Sequence, residues 1–318
     1  MAMARIGAAP LGYVCGLTMA LGASVSFAAA RGGIIGGLAA DDMIFARFLV
    51  AGLVMLPLLL YWGLSDLGGI GWRRGLALLL TGGPLFALLQ TGGYAFAPLA
   101  HGAVIAPSTV TIVSTIGAGL LLGEVLTRAH IFGSVLVLAG IAMIAWQGLV
   151  ESTVGASMWI GDALFFVSSL FWASFTILLR HWRLDAIKAT AVVAVLSMCV
   201  IVPIYLTVRG TDHLMALPLG ALIAQGAVQG LVQSIITIMA YARSVALLGV
   251  SRAVLFPAVV PALSVLIGIP SLGEVPTPLQ IAGLTTVSLG MIVAVGLLQR
   301  MLRKSDQPPS KSTVHRAV

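Results

Sequence analysis

Ten times along this chain an apolar run of membrane-crossing length is followed by a short polar or glycine-rich break. The runs fall near 11–30, 43–62, 74–98, 102–123, 129–147, 158–179, 189–208, 217–241, 250–270 and 277–298. About twenty apolar residues cross a bilayer core as a helix. Backbone in lipid must satisfy its own hydrogen bonds, so runs of this kind are helices rather than open strands. The expected fold is all-α, a polytopic membrane protein with ten transmembrane helices. Composition excludes the soluble alternative: 59% of the residues are hydrophobic and 8% charged, against about 25% charged in an average soluble domain. A net charge of +7 carried by so few groups does not build a nucleic-acid groove.

Charge placement supports ten spans, because each helix added or removed exchanges the sides of every later loop. With both termini cytoplasmic, the inner segments hold fourteen of the seventeen Lys and Arg, among them Arg73, Arg74, Arg180, Arg183, Lys188 and Arg303. The outer loops keep Arg31 and Arg209 with the acidic Asp41, Asp42, Glu151, Asp212 and Glu274. This is the positive-inside pattern of a protein in the cell's inner (plasma) membrane. Arg47 lies inside the second span, where it must snorkel or find a partner, and Asp41 or Asp42 is close in sequence. The first run follows Arg5 and ends in three alanines, yet it has the length of a span and further spans follow at once. It is therefore expected to stay as the first helix rather than be removed as a signal peptide. Cys15 and Cys199 sit inside apolar runs and make no disulfide framework.

The chain repeats itself. Gly22-Ala23-Ser24-Val25-Ser26 corresponds to Trp172-Ala173-Ser174-Phe175-Thr176 at an offset of 150 residues, and Gly123-Glu124, Gly133 and Gly140 return as Gly273-Glu274, Gly283 and Gly290. Tyr94-Ala95 and Tyr241-Ala242 match at 147. The plan is a cytoplasmic N-terminus at 1–10, a first repeat at 11–147, a connecting loop at 148–157, a second repeat at 158–298 and a basic, disordered cytoplasmic tail at 299–318. Five helices per repeat is an odd number, so the second repeat starts from the other face of the membrane and is inverted relative to the first. Inverted repeats are a common way to build a carrier.

These residues resemble the drug/metabolite transporter superfamily, in particular its EamA-like branch. The resemblance rests on the twice-used Leu-Gly-Glu motif with its two following glycines, Leu122-Gly123-Glu124 with Gly133 and Gly140, and Leu272-Gly273-Glu274 with Gly283 and Gly290. Pro261, thirteen residues before Glu274, Ala46-Arg47-Phe48 and Trp172-Ala173 also look like family positions. Gly22 stands where the family often has tryptophan, and Thr111 where the first repeat would have its proline, with Pro107 one turn earlier. The resemblance implies metabolite transport, often export of amino acids or related compounds.

A carrier holds its substrate near the midplane between polar side chains. Gln225, Gln229 and Gln233 recur every four residues on one face of the eighth span, which must turn to other helices or to a wet cavity. Ser108, Thr111 and Thr115 follow on the fourth span, and Gln90 with Tyr94 lies one turn apart on the third. The mid-span ring of Trp172 offers a cavity wall. The expected substrate-binding set is Gln90, Tyr94, Ser108, Thr111, Trp172, Gln225, Gln229 and Gln233. Each has a structural counterpart: amides that glue helices together, hydroxyls that bond their own helix, a ring that simply packs. Pro107, Pro257 and Pro261 interrupt corresponding helices of the two repeats and suit hinges. Gly123, Glu124, Gly273 and Glu274 read as a structural motif, each glutamate capping the next helix. The pairs Gly33/Gly37 and Gly226/Gly230 have the spacing of close helix contacts.

No Asp or Glu falls in the middle third of a span, so no buried carboxylate offers a proton relay. His101 reads as a loop histidine at the border of two spans, and Asp162 as a residue near an entrance. The expected mechanism is a facilitator or weakly coupled exporter. Histidines at 101, 130, 181, 213 and 315 have no metal-ligand spacing, and no hydrolase or metalloprotease motif occurs. No catalytic residues, metal or cofactor are expected; the expected partners are a small-molecule substrate and the lipid bilayer. A non-transporting scaffold or receptor is the alternative, and a membrane enzyme is a weaker one.

Overall fold

The computed structural model describes residues 2–122, 128–150, 157–253 and 255–294. All regular structure among them is helical: α1 (Ala2–Ile35), α2 (Ala40–Trp62), a short turn of 3-10 helix at Leu67–Gly69, α3 (Trp72–Gly82), α4 (Pro84–Gly93), α5 (Leu99–Leu122), α6 (Arg128–Val150) and α7 (Met158–His181). The remainder is α8 (Ala186–Ala216), α9 (Leu219–Gln225), a π-helical stretch Gly226–Ile236, α10 (Thr237–Leu248), α11 (Val250–Ala253), α12 (Leu255–Leu272) and α13 (Pro278–Ala294). Among the described residues seven helical segments are long and apolar enough to cross a membrane. Three shorter apolar helices, Leu99–Ser114, Arg128–Ile144 and Pro278–Ala294, accompany them.

Two runs that read as single helices are wound differently. The run at 74–98 breaks at Gly82-Gly83-Pro84, because Pro84 has no N–H to give to the preceding turn and restarts the helix at its first position. The run at 217–241 becomes α9, the π-helical stretch and α10. Gly37, expected to be a packing residue, is instead a turn residue at φ 90° just past the end of α1.

Helix pairing follows a plan that survives exchange of the two halves. α6 packs along α13, and α2 along α8. α1 packs on α10 and α12, while α7 packs on α4 and α5, the corresponding helices of the other half. Glycines make the α6–α13 contact possible. A β-carbon at Gly140 would come within 2.7 Å of the Gly283 carbonyl oxygen, and one at Gly290 within 2.9 Å of the Gly133 oxygen. Pairing 140 with 283 and 133 with 290 makes the two helices antiparallel. Gly226 and Gly230 likewise bring the π-helical stretch against α2, where a β-carbon at either would meet Val50 at 2.9 Å.

The interior is divided between these pairs. Met55, Leu59, Leu78, Phe175 and Val192 fill the space between α2, α3, α7 and α8, and Val104, Val137, Ile144, Val287 and Met291 that between α5, α6, α12 and α13. Leucines such as Leu53, Leu60, Leu80, Leu138 and Leu266 point outward and remain exposed. An apolar shell around a bundle with polar groups inside is the arrangement that lipid favours.

Charged pairs cluster at helix ends. Asp42 accepts hydrogen bonds from the Tyr205 hydroxyl at 2.6 Å and caps the Ala39 N–H at 2.9 Å, and Arg209 grips Asp41 through two nitrogens. At the other ends of the same helices Lys188 donates to the Gly68 carbonyl and lies over the Trp62 ring, while Arg74 lies over Trp182.

Candidate functional site

The glutamine stripe lies along α1. Gln225 donates from Nε2 to the Ala29 carbonyl at 2.7 Å, and Gln229 donates to the Ser26 carbonyl at 2.8 Å. Both carbonyls belong to helical backbone and have a second lone pair to offer, so the amides bind α1 without unwinding it. In the π-helical stretch the Ser234 hydroxyl donates to the Gln229 carbonyl five residues back and accepts a bond from Arg47 Nε at 3.1 Å. Arg47 therefore finds its partner on the facing helix rather than in Asp41 or Asp42, and its guanidinium stacks on Phe48. π winding recurs at functional sites, and this eleven-residue stretch is tied to α2 by the half-buried Arg47. Gly22 keeps α1 close here: a β-carbon would sit 2.5 Å from the Thr237 hydroxyl. A cavity of about 400 Å³ opens between α1, α9 and α12, lined by Gly32, Gly33, Gln225, Ile267 and Ser271.

The second group of predicted residues lies among α4, α5 and α7. Ser168 donates to Gln90 Oε1 at 2.7 Å. Tyr94 is fully buried, with its ring edge-on to Phe165 and its hydroxyl against Gly102. Ser108 is fully buried as well. Thr111 donates to the Pro107 carbonyl of its own helix at 2.8 Å. Trp172 is stacked between Phe86 and Phe175, at 4.8 and 4.9 Å between centroids, and packs against the core of α2 and α8. The structure thus places the predicted residues in two groups, one against α1 and one among α4, α5 and α7, and the same stretch of α1 borders both, since Ala28 and Ala30 pack with Tyr94 while Ala29 binds Gln225.

Five of the eight predicted residues have a property in common with some other buried side chains, among them Ser197, Thr237 and Ser244. Gln90 Nε2, Tyr94 OH, Ser108 Oγ, Gln225 Oε1 and Gln233 Oε1 are buried atoms without a hydrogen-bond partner among the described residues. A buried polar atom left unpaired costs about 1–3 kcal/mol, so these five atoms are places where a guest, water or solute, is stabilising.

Pro107 lies in α5, and Pro257 and Pro261 in α12. The carbonyl of Val260, next to Pro261, accepts bonds from Ser264 and from Ser24 of α1. Gly123 and Glu124 lie outside the described residues. Gly273 takes φ 68° at the end of α12, and Glu274 caps a helix, though not the next one. Its Oε2 accepts the Leu99 N–H that starts α5, at 2.8 Å, and its Oε1 pairs with Arg31 Nε at 2.6 Å. Arg31 also donates to the Tyr94 carbonyl. The start of α13 is capped instead by Thr277 and Gln280, which bond each other's backbone N–H reciprocally. These groups roof a cavity of about 250 Å³ lined by Leu99, Met158, Gly268, Glu274, Thr277 and Gln280.

His101 corrects the sequence reading. It is no loop residue but lies fully buried in the first turn of α5, with Nδ1 2.8 Å from Asp162 Oδ1 of α7 and Nε2 3.4 Å from Gln280 Nε2 of α13. No local spacing announces this triad, since its members come from three helices. The one readable sign was Thr277-Pro-Leu-Gln280, whose form is that of a capping box. Among the described residues no three His, Cys, Asp or Glu side chains gather as metal ligands.

The profile of the EamA-like transporter family matches the chain twice, at residues 10–146 and 159–296. The chain belongs to the EamA-like transporter family. This EamA-like protein is accordingly a multi-pass membrane transporter of the drug/metabolite type. A crystal structure described only as that of a protein shares its fold at a TM-score of 0.55, with 18% identity over 95% of this chain and 100% of that one. No curated protein matches it.

Proposed function

We propose that this protein moves a small metabolite, an amino acid or related compound, outward across the cytoplasmic membrane by alternating access of two inverted five-helix repeats. In this reading ten helices span the bilayer, with α3 and α4 as one span and α9, the π-helical stretch and α10 as another, and both termini are cytoplasmic. Support for the inversion comes from the helix pairing, which is unchanged on exchange of the halves and antiparallel where α6 meets α13. The observation that carries a transport site is the set of five buried, unpaired polar atoms on Gln90, Tyr94, Ser108, Gln225 and Gln233. Amides and hydroxyls that both donate and accept suit a neutral or zwitterionic solute better than a multiply charged one. Gln229, Thr111 and Trp172 complete the proposed walls, and Pro107, Pro257 and Pro261 the bends that let α5 and α12 move.

The test is thermal stabilisation of the purified protein by amino acids, polyamines and nucleosides, followed by counterflow in proteoliposomes with each compound that stabilises. One chemical class is expected to raise Tm and to support counterflow. Silence across the panel, or terminal reporter fusions lying on opposite sides of the membrane, overturns the proposal.

A further inference from the structure

We propose that His101 and Asp162 form a proton-binding site, and that a proton taken up on His101 releases the segment between α12 and α13. The argument starts from Gln280. Its Oε1 is committed to the Thr277 N–H at 3.0 Å, which leaves Nε2 to face His101. An amide nitrogen only donates, so His101 Nε2 accepts and the ring is neutral, with Nδ1–H given to Asp162 at 2.8 Å. A second proton has one place to go, Nε2, where its N–H confronts the amide hydrogens of Gln280. The conflict ends when the amide turns over and offers Oε1 to the imidazolium. That turn withdraws Oε1 from the Thr277 N–H, so that of the reciprocal cap of α13 the Gln280 N–H bond to Thr277 Oγ1 remains.

The segment Gly273–Thr277 is then held at fewer points. It carries Glu274, which pins Arg31 of α1 and the start of α5, and it roofs the 250 Å³ cavity. The other titratable groups near His101 are Asp162 of α7, Tyr94 before α5, Arg31 of α1 and Glu274 itself; among the described residues α6 and α12 bring none to this level. Asp162 is the carboxylate in contact with the ring, and the Arg31–Glu274 pair carries no net charge. The pair thus supplies the proton carrier that the middle of the spans lacks. Its link to transport rests on the carrier reading above, whereas the proton site itself does not, so the experiment reads the segment and not flux.

A nitroxide is placed at Val275, an exposed residue of the segment, in full-length protein carrying Cys15→Ala and Cys199→Ala, in phosphatidylcholine nanodiscs. Between about pH 8 and about pH 5, the range in which imidazoles change charge, the mobile fraction of its spectrum is expected to rise about threefold or more. His101→Gln is expected to abolish the response. Gln280→Glu is expected to abolish it in the immobile state, because a carboxylate accepts from Thr277 and from imidazolium together. If His101→Gln fails to give folded, monodisperse protein, Gln280→Glu decides alone. A spectrum unaffected by pH, or a response of undiminished size in either variant, overturns the proposal.

Discussion

Two seams occupy corresponding places in the two halves and are built from opposite materials. Where α7 meets α3 and α4, the contact is aromatic: Trp172 stacked on Phe86, Phe175 against Gly82, and Tyr94 edge-on to Phe165. Where α1 meets the π-helical stretch and α10, glycine replaces tryptophan at position 22 and the contact is made by amides on backbone carbonyls. Stacked rings lose dispersion and burial over their whole area if they part, whereas an amide can exchange a carbonyl for water or a solute at small net cost. The first seam therefore suits a fixed wall and the second a contact made and broken in each cycle.

The comparison is easiest to break at its strongest point. Trp172→Ala is expected to cost about 3–5 kcal/mol of stability, as a large aromatic removed from a packed site does, a loss larger than its effect on ligand-induced stabilisation; thermal unfolding with and without ligand reads both. Gly161→Val, also on the aromatic side, is expected to cost about 1–3 kcal/mol, because its new side chain meets the Gly93 carbonyl and the Ala97 N–H, which cannot rotate away. On the amide side Gln229→Leu is expected to cost about 1 kcal/mol yet to lower counterflow about tenfold or more. A loss of stability as large as that of Trp172→Ala, with flux intact, would show that the two seams do not differ in role. Smallest of all is Tyr94→Phe, expected to leave stability within about 0.5 kcal/mol or to raise it, since the deleted hydroxyl has no internal partner, while weakening ligand-induced stabilisation.

How much of this was legible depended on the range of the interaction. Apolar runs and the 150-residue offset are local or periodic, and they led to the helices and the two repeats. The glutamine stripe was visible as one face of a helix, but neither its π winding nor the bond that Arg47 makes to Ser234 from another helix was. The break at Gly82-Gly83-Pro84 was written in the residues and hidden by hydropathy, which averages across it. The His101, Asp162 and Gln280 triad was invisible for the plainest reason. Its members are separated by 61 and 179 residues, and each taken alone looks like an ordinary polar residue near a helix end. Trp172 shows the reverse limit: an isolated ring in mid-span says nothing about whether its neighbours are aromatic.

The crossing of α6 and α13 has a mechanical consequence. Backbones that touch at two glycine pairs, with Val137, Ile144, Val287 and Met291 packed beside them, sit at a fixed close distance, so in the proposed cycle this junction serves as an axle joining two levers. A helix of 23 residues is about 35 Å long, and a tilt of about 10° around its middle swings each tip by about 3 Å, in opposite directions at the two faces of the bilayer. In the proposed alternating-access cycle, one small rotation there would narrow one mouth as it widens the other.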